Sequence, residues 1–143
     1  MNKSKIPSKV EAELADPRYV RPANTRLGTQ LAALGADRNS LLKTFFERYE
    51  GPFWSEHLGF EFLDVLEGSA TIRSVTETCR QRFDLPPQFI VFNEISAGQV
   101  VVMDVVSDKV FEVDFEGGEK LLSVGQLAPR WESFELFLLE YFA

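Results

Sequence analysis

The chain has 143 residues, 45% of them hydrophobic and 26% charged, and its 15 basic and 22 acidic side chains give a net charge of −7. This length fits one domain, which buries enough surface to fold without a disulfide or a metal. One cysteine excludes an internal disulfide, and the single histidine beside it leaves too few soft ligands for a zinc site. The acidic balance argues against general nucleic-acid binding, because phosphates are repelled by such a surface.

The N-terminal region differs in charge from the rest of the chain. Residues 1–26 carry six basic and three acidic side chains, a net charge of +3, whereas residues 27–143 carry nine and nineteen, a net charge of −10. We therefore divide the chain into a basic N-terminal extension, residues 1–28, and an α+β domain, residues 29–143. No apolar run reaches the length of a signal peptide or a membrane span, so we expect a cytoplasmic protein with no membrane partner.

Within the extension, Ser8 and Glu11 have the spacing of a capping box for a short helix that stops before Pro17. The following segment, 18–22, is predicted to be an extended arm. Such an arm could contact nucleic acid or the acidic body, and an ordered or frayed terminus without a contact role is the more common case.

Two helices are predicted to open the domain. The first covers 29–34, and Gly35 ends it. The second is capped by Asp37 or Asn39 and ends at the Gly51-Pro52 dipeptide, because proline cannot continue a helix. Its buried face is formed by apolar residues at helical spacing: Leu41, Leu42, Phe45, Phe46 and Tyr49. Phe53 and Trp54 follow in a predicted loop, with Phe53 in the core.

A strand over 60–66 and a third helix are predicted next. The helix begins at Ser69 or Ser74 and ends at Phe83, before two prolines. Cys79 lies on its apolar side, so we expect a buried, unreactive thiol rather than a nucleophile.

Three further strands are predicted, over 89–92, 99–106 and 110–116. In the last of these, apolar residues alternate strictly with acidic ones. The second and third are expected to pair so that their apolar residues match, which places Met103 beside Val113. The same register places Asp104 opposite Glu112, an unfavourable pair of like charges. Local conflicts of this kind can mark functional positions, although solvation by water also tolerates them.

The chain ends in a predicted helix with Pro129 in its first turn and a wide apolar surface. The Gly117-Gly118 dipeptide before it is predicted to be a turn. Together the elements predict an α+β domain, with a mostly antiparallel sheet of four or more strands flanked by N-terminal and C-terminal helices.

Acidic residues are concentrated in the region of the predicted strands. Between Asp84 and Glu119 there are eight acidic residues and one basic residue, Lys109. A face of one charge sign can steer a basic partner towards it, or can serve solubility alone. The candidate partner-binding residues are an aromatic anchor and five acids: Trp54, Glu94, Asp104, Glu112, Asp114 and Glu116.

No motif points to catalysis or to a cofactor. His57 lies in a predicted loop, and no Ser or Cys is marked as its partner. Glu56, Glu61 and Asp64 lie nearby in the sequence, but three such carboxylates are expected by chance in an acidic chain and do not indicate a catalytic pair. The sequence lacks glycine-rich phosphate loops and the ligand spacing of a calcium loop. We expect no enzyme activity, no cofactor and no metal site.

Three segments carry a family resemblance: a helix that ends in Tyr49-Glu50-Gly51, a proline-containing turn and strand over Leu85–Phe92 with Gly98 and Asp104 beyond it, and a C-terminal Ser-Phe-x-x-Phe-Leu motif over Ser133–Leu138. Their order and spacing resemble the SUKH superfamily. Its members are small α+β domains found largely as bacterial immunity proteins, with fungal relatives that regulate cell-wall synthesis. The resemblance covers residues 29–142. The chain departs from the family pattern at three places: Asp37–Asn39, Glu50 and Gln99.

The resemblance implies an immunity protein that binds and neutralises a cognate bacterial toxin by direct contact, as a monomer or homodimer. An acidic inhibitor suits a basic toxin such as a nuclease, since complementary charge speeds encounter and fixes orientation. The alternative is a non-enzymatic regulatory or interaction module with a cell-envelope or other housekeeping partner, as in the fungal relatives.

Overall fold

The computed structural model describes residues 5–24 and 26–143. The helices in these ranges are α1 (Ser8–Glu13), α2 (Arg26–Ala33), α3 (Ser40–Arg48), α4 (Ile72–Phe83), α5 (Gly118–Ser123) and α6 (Phe134–Tyr141). The strands are β1 (Phe53–Ser55), β2 (Phe60–Phe62), β3 (Phe89–Val91), β4 (Gln99–Asp104) and β5 (Val110–Asp114). Short 3-10 turns cover Pro17–Tyr19 and Ala36–Arg38.

The strands form two small antiparallel sheets, β1-β2 and β3-β4-β5. The α+β class is confirmed, whereas the prediction of one sheet with four or more strands is wrong. Strand β2 ends at Phe62, and one further bond joins the sheets, from the Leu63 N–H to the Phe92 carbonyl at 2.8 Å. The chain then turns away, because the Asp64 carboxylate accepts the backbone N–H groups of Leu66 and Glu67.

The register of β4 against β5 also differs from the prediction. Val101 lies opposite Glu112, and Met103 lies opposite Val110. The cause is the Asp104 carboxylate, which accepts two backbone N–H groups in the connection and closes a longer turn than expected. Asp104 therefore does not face Glu112, and the predicted repulsion between them does not arise. The predicted alternation in β5 is confirmed, since its acidic residues are exposed and the apolar residues between them are buried.

Apolar residues fill both faces of the three-stranded sheet. On one face, aromatic rings from α3, β1 and α6 surround Phe62, whose ring centroid is 4.8 Å from that of Phe92 and 5.4 Å from that of Phe137. On the other face, Cys79 of α4 and Leu122 of α5 pack on the sheet. Burial of one such phenylalanine contributes roughly 1.5–3 kcal/mol, so this aromatic cluster holds the two sheets and α6 together.

Several helix ends follow the sequence signals. The Asn39 side chain caps α3 by accepting the Leu42 N–H at 2.9 Å, which selects one of the two predicted caps. Thr71 and Ser74 form a reciprocal capping box at the start of α4, between the two predicted starting points. Gly35 follows α2 in a left-handed conformation (φ 72°), which glycine adopts without steric cost.

Three local predictions are wrong. Phe53 and Trp54 lie in strand β1 rather than in a loop, although Phe53 is in the core as predicted. Gly118 begins a short helix instead of completing a turn. The last helix starts after its cap Ser133, well beyond Pro129, because Trp131 is held in an antiparallel bridge to β5.

The segment predicted to be an extension packs into the domain. Its apolar side chains are buried in the main core: Ile6, Val10 and Leu14. The predicted capping box is absent, because α1 starts after Pro7 with no side-chain cap and Glu11 pairs instead with Arg48 of α3 at 2.5 Å. Beyond the 3-10 turn, Val20 forms a bridge with Tyr49. The chain from Ile6 to Arg21 is therefore part of the folded body.

Candidate functional site

The six candidate partner-binding residues fall in different parts of the fold. Trp54 lies on β1 of the two-stranded sheet. The five acids lie on or beside the three-stranded sheet: Glu94, Asp104, Glu112, Asp114 and Glu116. Their local bonding differs, so they are not equally available to a partner.

Asp104 and Asp114 stabilise turns. One Asp104 carboxylate oxygen accepts the N–H groups of Val106 at 2.9 Å and Ser107 at 3.2 Å. One Asp114 oxygen accepts those of Glu116 at 3.0 Å and Gly118 at 3.2 Å. Aspartate favours turns for this reason, since its short side chain reaches the backbone two residues ahead. Both carboxylates are thus engaged in the fold.

Glu112 belongs to a row of neighbouring polar side chains: His57, Glu140, Arg130 and Glu112. Arg130 lies 2.5 Å from a Glu112 oxygen and 3.6 Å from a Glu140 oxygen, and His57 Nε2 lies 3.3 Å from Glu140. The guanidinium of Arg130 also stacks over the ring of Trp131, 4.4 Å from its centroid. This row of side chains connects the loop after β1 to strand β5 across α6.

Trp54 projects from the hairpin formed by β1 and β2, residues 53–62. Its cross-strand partner is Glu61, and strand alternation turns both outward while Phe53 and Phe62 face the core. The indole is 61% exposed. No lysine or arginine occurs between Gly51 and Ile72. The ionisable side chains of the hairpin are therefore two acids, Glu56 and Glu61, and one histidine, His57. A large exposed aromatic beside carboxylates is typical of a protein-binding surface.

The hairpin is held in place from inside by Tyr141 of α6. Its buried hydroxyl accepts the Phe62 N–H at 2.9 Å and lies 2.6 Å from the Phe60 carbonyl, to which it can donate. Burial raises the pKa of the Tyr141 phenol far above its ordinary value, so the hydroxyl keeps its proton. The inward side of the hairpin is therefore fixed.

A buried ion pair between Arg21 and Asp64 fixes both ends of the same hairpin. One Asp64 oxygen accepts from the Arg21 guanidinium and from the Gly51 N–H at 3.0 Å. The same guanidinium also bonds the Phe46 and Tyr49 carbonyls at the end of α3. Sequence reasoning missed this pair, and the one signal for it is the position of an aspartate inside an apolar run, between Leu63 and Val65.

Glu94 and Glu116 are exposed, and within the described ranges neither carboxylate forms an ion pair or a side-chain hydrogen bond. Glu94 lies in the connection between β3 and β4. Glu116 lines an open groove of about 730 Å³ that also contains the stacked rings of Phe83 and Phe115, 3.9 Å apart at their centroids. The carboxylates of these two candidate residues are therefore available to a partner.

The residues with catalytic potential are not assembled. In the part of the chain that the structure describes, His57 pairs with Glu140 and makes no hydrogen bond to a Ser, Thr or Cys side chain. Cys79 is buried on the opposite face of the sheet, and burial raises the pKa of its thiol to about 11. Across residues 5–24 and 26–143, no group of three His, Cys, Asp or Glu side chains is arranged to hold a metal. The predicted unreactive character of Cys79 agrees with this burial.

Comparison of the chain with protein-family models and with curated proteins finds no match. Among the described helices, none combines the length and the apolar character needed to cross a bilayer.

Proposed function

We propose that this chain is an immunity protein that binds and neutralises a cognate bacterial toxin by direct contact. The observation that carries the proposal is the exposed Trp54 beside carboxylates with no ion-pair partner among the described residues. Complementary charge steers a basic partner to such a surface, and a buried aromatic anchor then supplies binding energy. The proposal includes no enzyme activity and no cofactor.

The chemistry of a nuclease toxin suits this inhibitor. A nuclease needs a positive groove for phosphate, and an acidic protein that occupies the groove excludes the nucleic acid. The same charge disfavours nucleic acid as a partner of this chain. We propose that the protein acts in the cytoplasm as a monomer or homodimer. The family assignment to the SUKH superfamily, carried by its sequence resemblance, is part of this proposal.

The test is co-purification of the chain with the product of the adjacent open reading frame, followed by growth and inhibition assays. We expect a stable complex, protection of cells that express the neighbouring gene, and an association rate that falls as salt is raised. Failure of the chain at stoichiometric amounts to bind the neighbouring product or to protect the cells would contradict the proposal. A stable complex with a non-toxic cell-envelope protein would favour the regulatory alternative. An activity of the isolated chain that His57→Ala abolishes would support an enzyme instead.

A further inference from the structure

We propose that the hairpin of residues 53–62 binds an arginine side chain of the partner, with the guanidinium stacked on Trp54 and paired with the Glu61 carboxylate. This inference deepens the proposed function and rests on it for the identity of the partner. It moves the main contact from the acidic strands to the two-stranded sheet.

The hairpin presents Trp54 and Glu61 as a cross-strand pair. Trp54 and Glu61 are directly opposite in the antiparallel register. Side chains at such positions start about 5 Å apart and project to the same side. An indole face and a carboxylate are therefore presented together, which matches a planar guanidinium that stacks on a ring and donates to oxygen.

The same molecule contains a second tryptophan beside carboxylates, and there an arginine is already in place. Arg130 stacks over Trp131 at 4.4 Å and pairs with Glu112 and Glu140 at the same time. On the hairpin, the aromatic ring and the carboxylate are present, and the chain from Gly51 to Ile72 supplies no cation. An arginine of the partner would supply the guanidinium that is missing between Trp54 and Glu61.

The hairpin is held rigidly by the rest of the fold. Tyr141 fixes the inner side of the hairpin, and Asp64 bonds the N–H of Gly51 just before it. A surface held in its binding geometry loses little conformational entropy when it binds. By contrast, the Asp104 and Asp114 carboxylates already accept backbone N–H groups, so they have less capacity to accept hydrogen bonds from a partner.

A peptide titration tests the inference without knowledge of the toxin. The probe is hexa-arginine peptide, with hexa-lysine as its comparison, and the readout is tryptophan emission, since Trp54 is exposed and Trp131 is 4% exposed. We expect hexa-arginine to change the emission and to bind more tightly than hexa-lysine. Glu61→Gln should weaken binding about tenfold, the loss of one charge-assisted contact, whereas the matched control Glu47→Gln, at an exposed position of α3 outside the hairpin, should change it little.

Equal binding of hexa-arginine by native protein and by Glu61→Gln would overturn the inference, and so would no binding by the native protein. The toxin complex then separates the two proposals. If the adjacent product binds Trp54→Ala and Glu61→Gln as tightly as the native chain, the immunity function stands and the hairpin site is wrong. If the arginine peptide binds as expected and the adjacent product does not bind, the hairpin site stands and the immunity function is wrong.

Discussion

Replacement of Asp64 by asparagine should lower the free energy of unfolding sharply, although the two side chains have the same shape. Asp64 is fully buried, and its two oxygens accept four donors. The Arg21 guanidinium and the Gly51 N–H reach one oxygen, and the N–H groups of Leu66 and Glu67 reach the other. Asparagine keeps one acceptor oxygen, so its NH2 group must face one pair of these donors.

The expected decrease in the free energy of unfolding has two causes. The ion pair with Arg21 is lost, and backbone donors are left without an acceptor. Removal of one partner from a buried ion pair costs about 3–5 kcal/mol, because the other charge stays buried. The lower end applies here, since the Glu50 carboxylate, 3.6 Å from the Arg21 guanidinium, remains as a second partner. An unsatisfied buried donor adds roughly 1–3 kcal/mol. We therefore expect Asp64→Asn to cost at least about 3 kcal/mol. At about 4 °C per kcal/mol for a chain of this size, the midpoint of thermal unfolding should fall by about 12 °C.

Urea denaturation followed by circular dichroism measures this loss. The control is Glu77→Gln, which removes an exposed ion pair with Arg73 one helical turn away and should cost about 0.3 kcal/mol. The two variants remove the same charge, so the difference between them isolates burial. A loss below about 1 kcal/mol in Asp64→Asn would refute the reasoning.

Three further predictions concern stability. Tyr141→Phe removes the hydroxyl that accepts the Phe62 N–H and should cost about 1–3 kcal/mol in the same urea assay; an unchanged midpoint would contradict this. Burial raises the pKa of the Cys79 thiol to about 11, so the unfolded state ionises first and alkaline pH favours unfolding. Native protein should therefore lose stability between pH 9 and pH 11 more steeply than Cys79→Ala, and parallel curves would exclude this cause. Asp108 has a positive φ of 73°, so Asp108→Ala should be less stable than Asp108→Gly by about 1 kcal/mol, and equal stabilities would exclude backbone strain.

Much of the helical structure is predictable because the signals are local. The cap at Asn39 and the glycine at Gly35 each act within one turn of the helix that they bound. Alternation along β5 is equally local, since each residue takes one side of the strand. These elements are recognised without knowledge of what packs against them.

The division into two sheets and the strand register were not predictable, because single side-chain contacts set them. Asp104 closes the turn after β4 and shifts the register of β5, although a pattern of apolar residues favours another pairing. Asp64 turns the chain away after β2, and its partner Arg21 is 43 residues distant in sequence. Long-range contacts of this kind leave no periodic signal.

The bonds that a carboxylate forms within the fold determine whether it is available to bind a partner. Asp104 and Asp114 stand at strand ends before turns, where the backbone offers N–H groups that an aspartate accepts. Glu61 lies on a strand opposite an aromatic residue, and among the described residues its carboxylate forms no ion pair or side-chain hydrogen bond. Position on a strand does not decide this alone, since Glu112 on β5 pairs with Arg130, whereas Glu94 and Glu116 lie in connections and form no ion pair among the described residues. What distinguishes Glu61 is the exposed indole of Trp54 directly opposite it, and this combination of a ring and a free carboxylate makes the hairpin the better candidate for recognition.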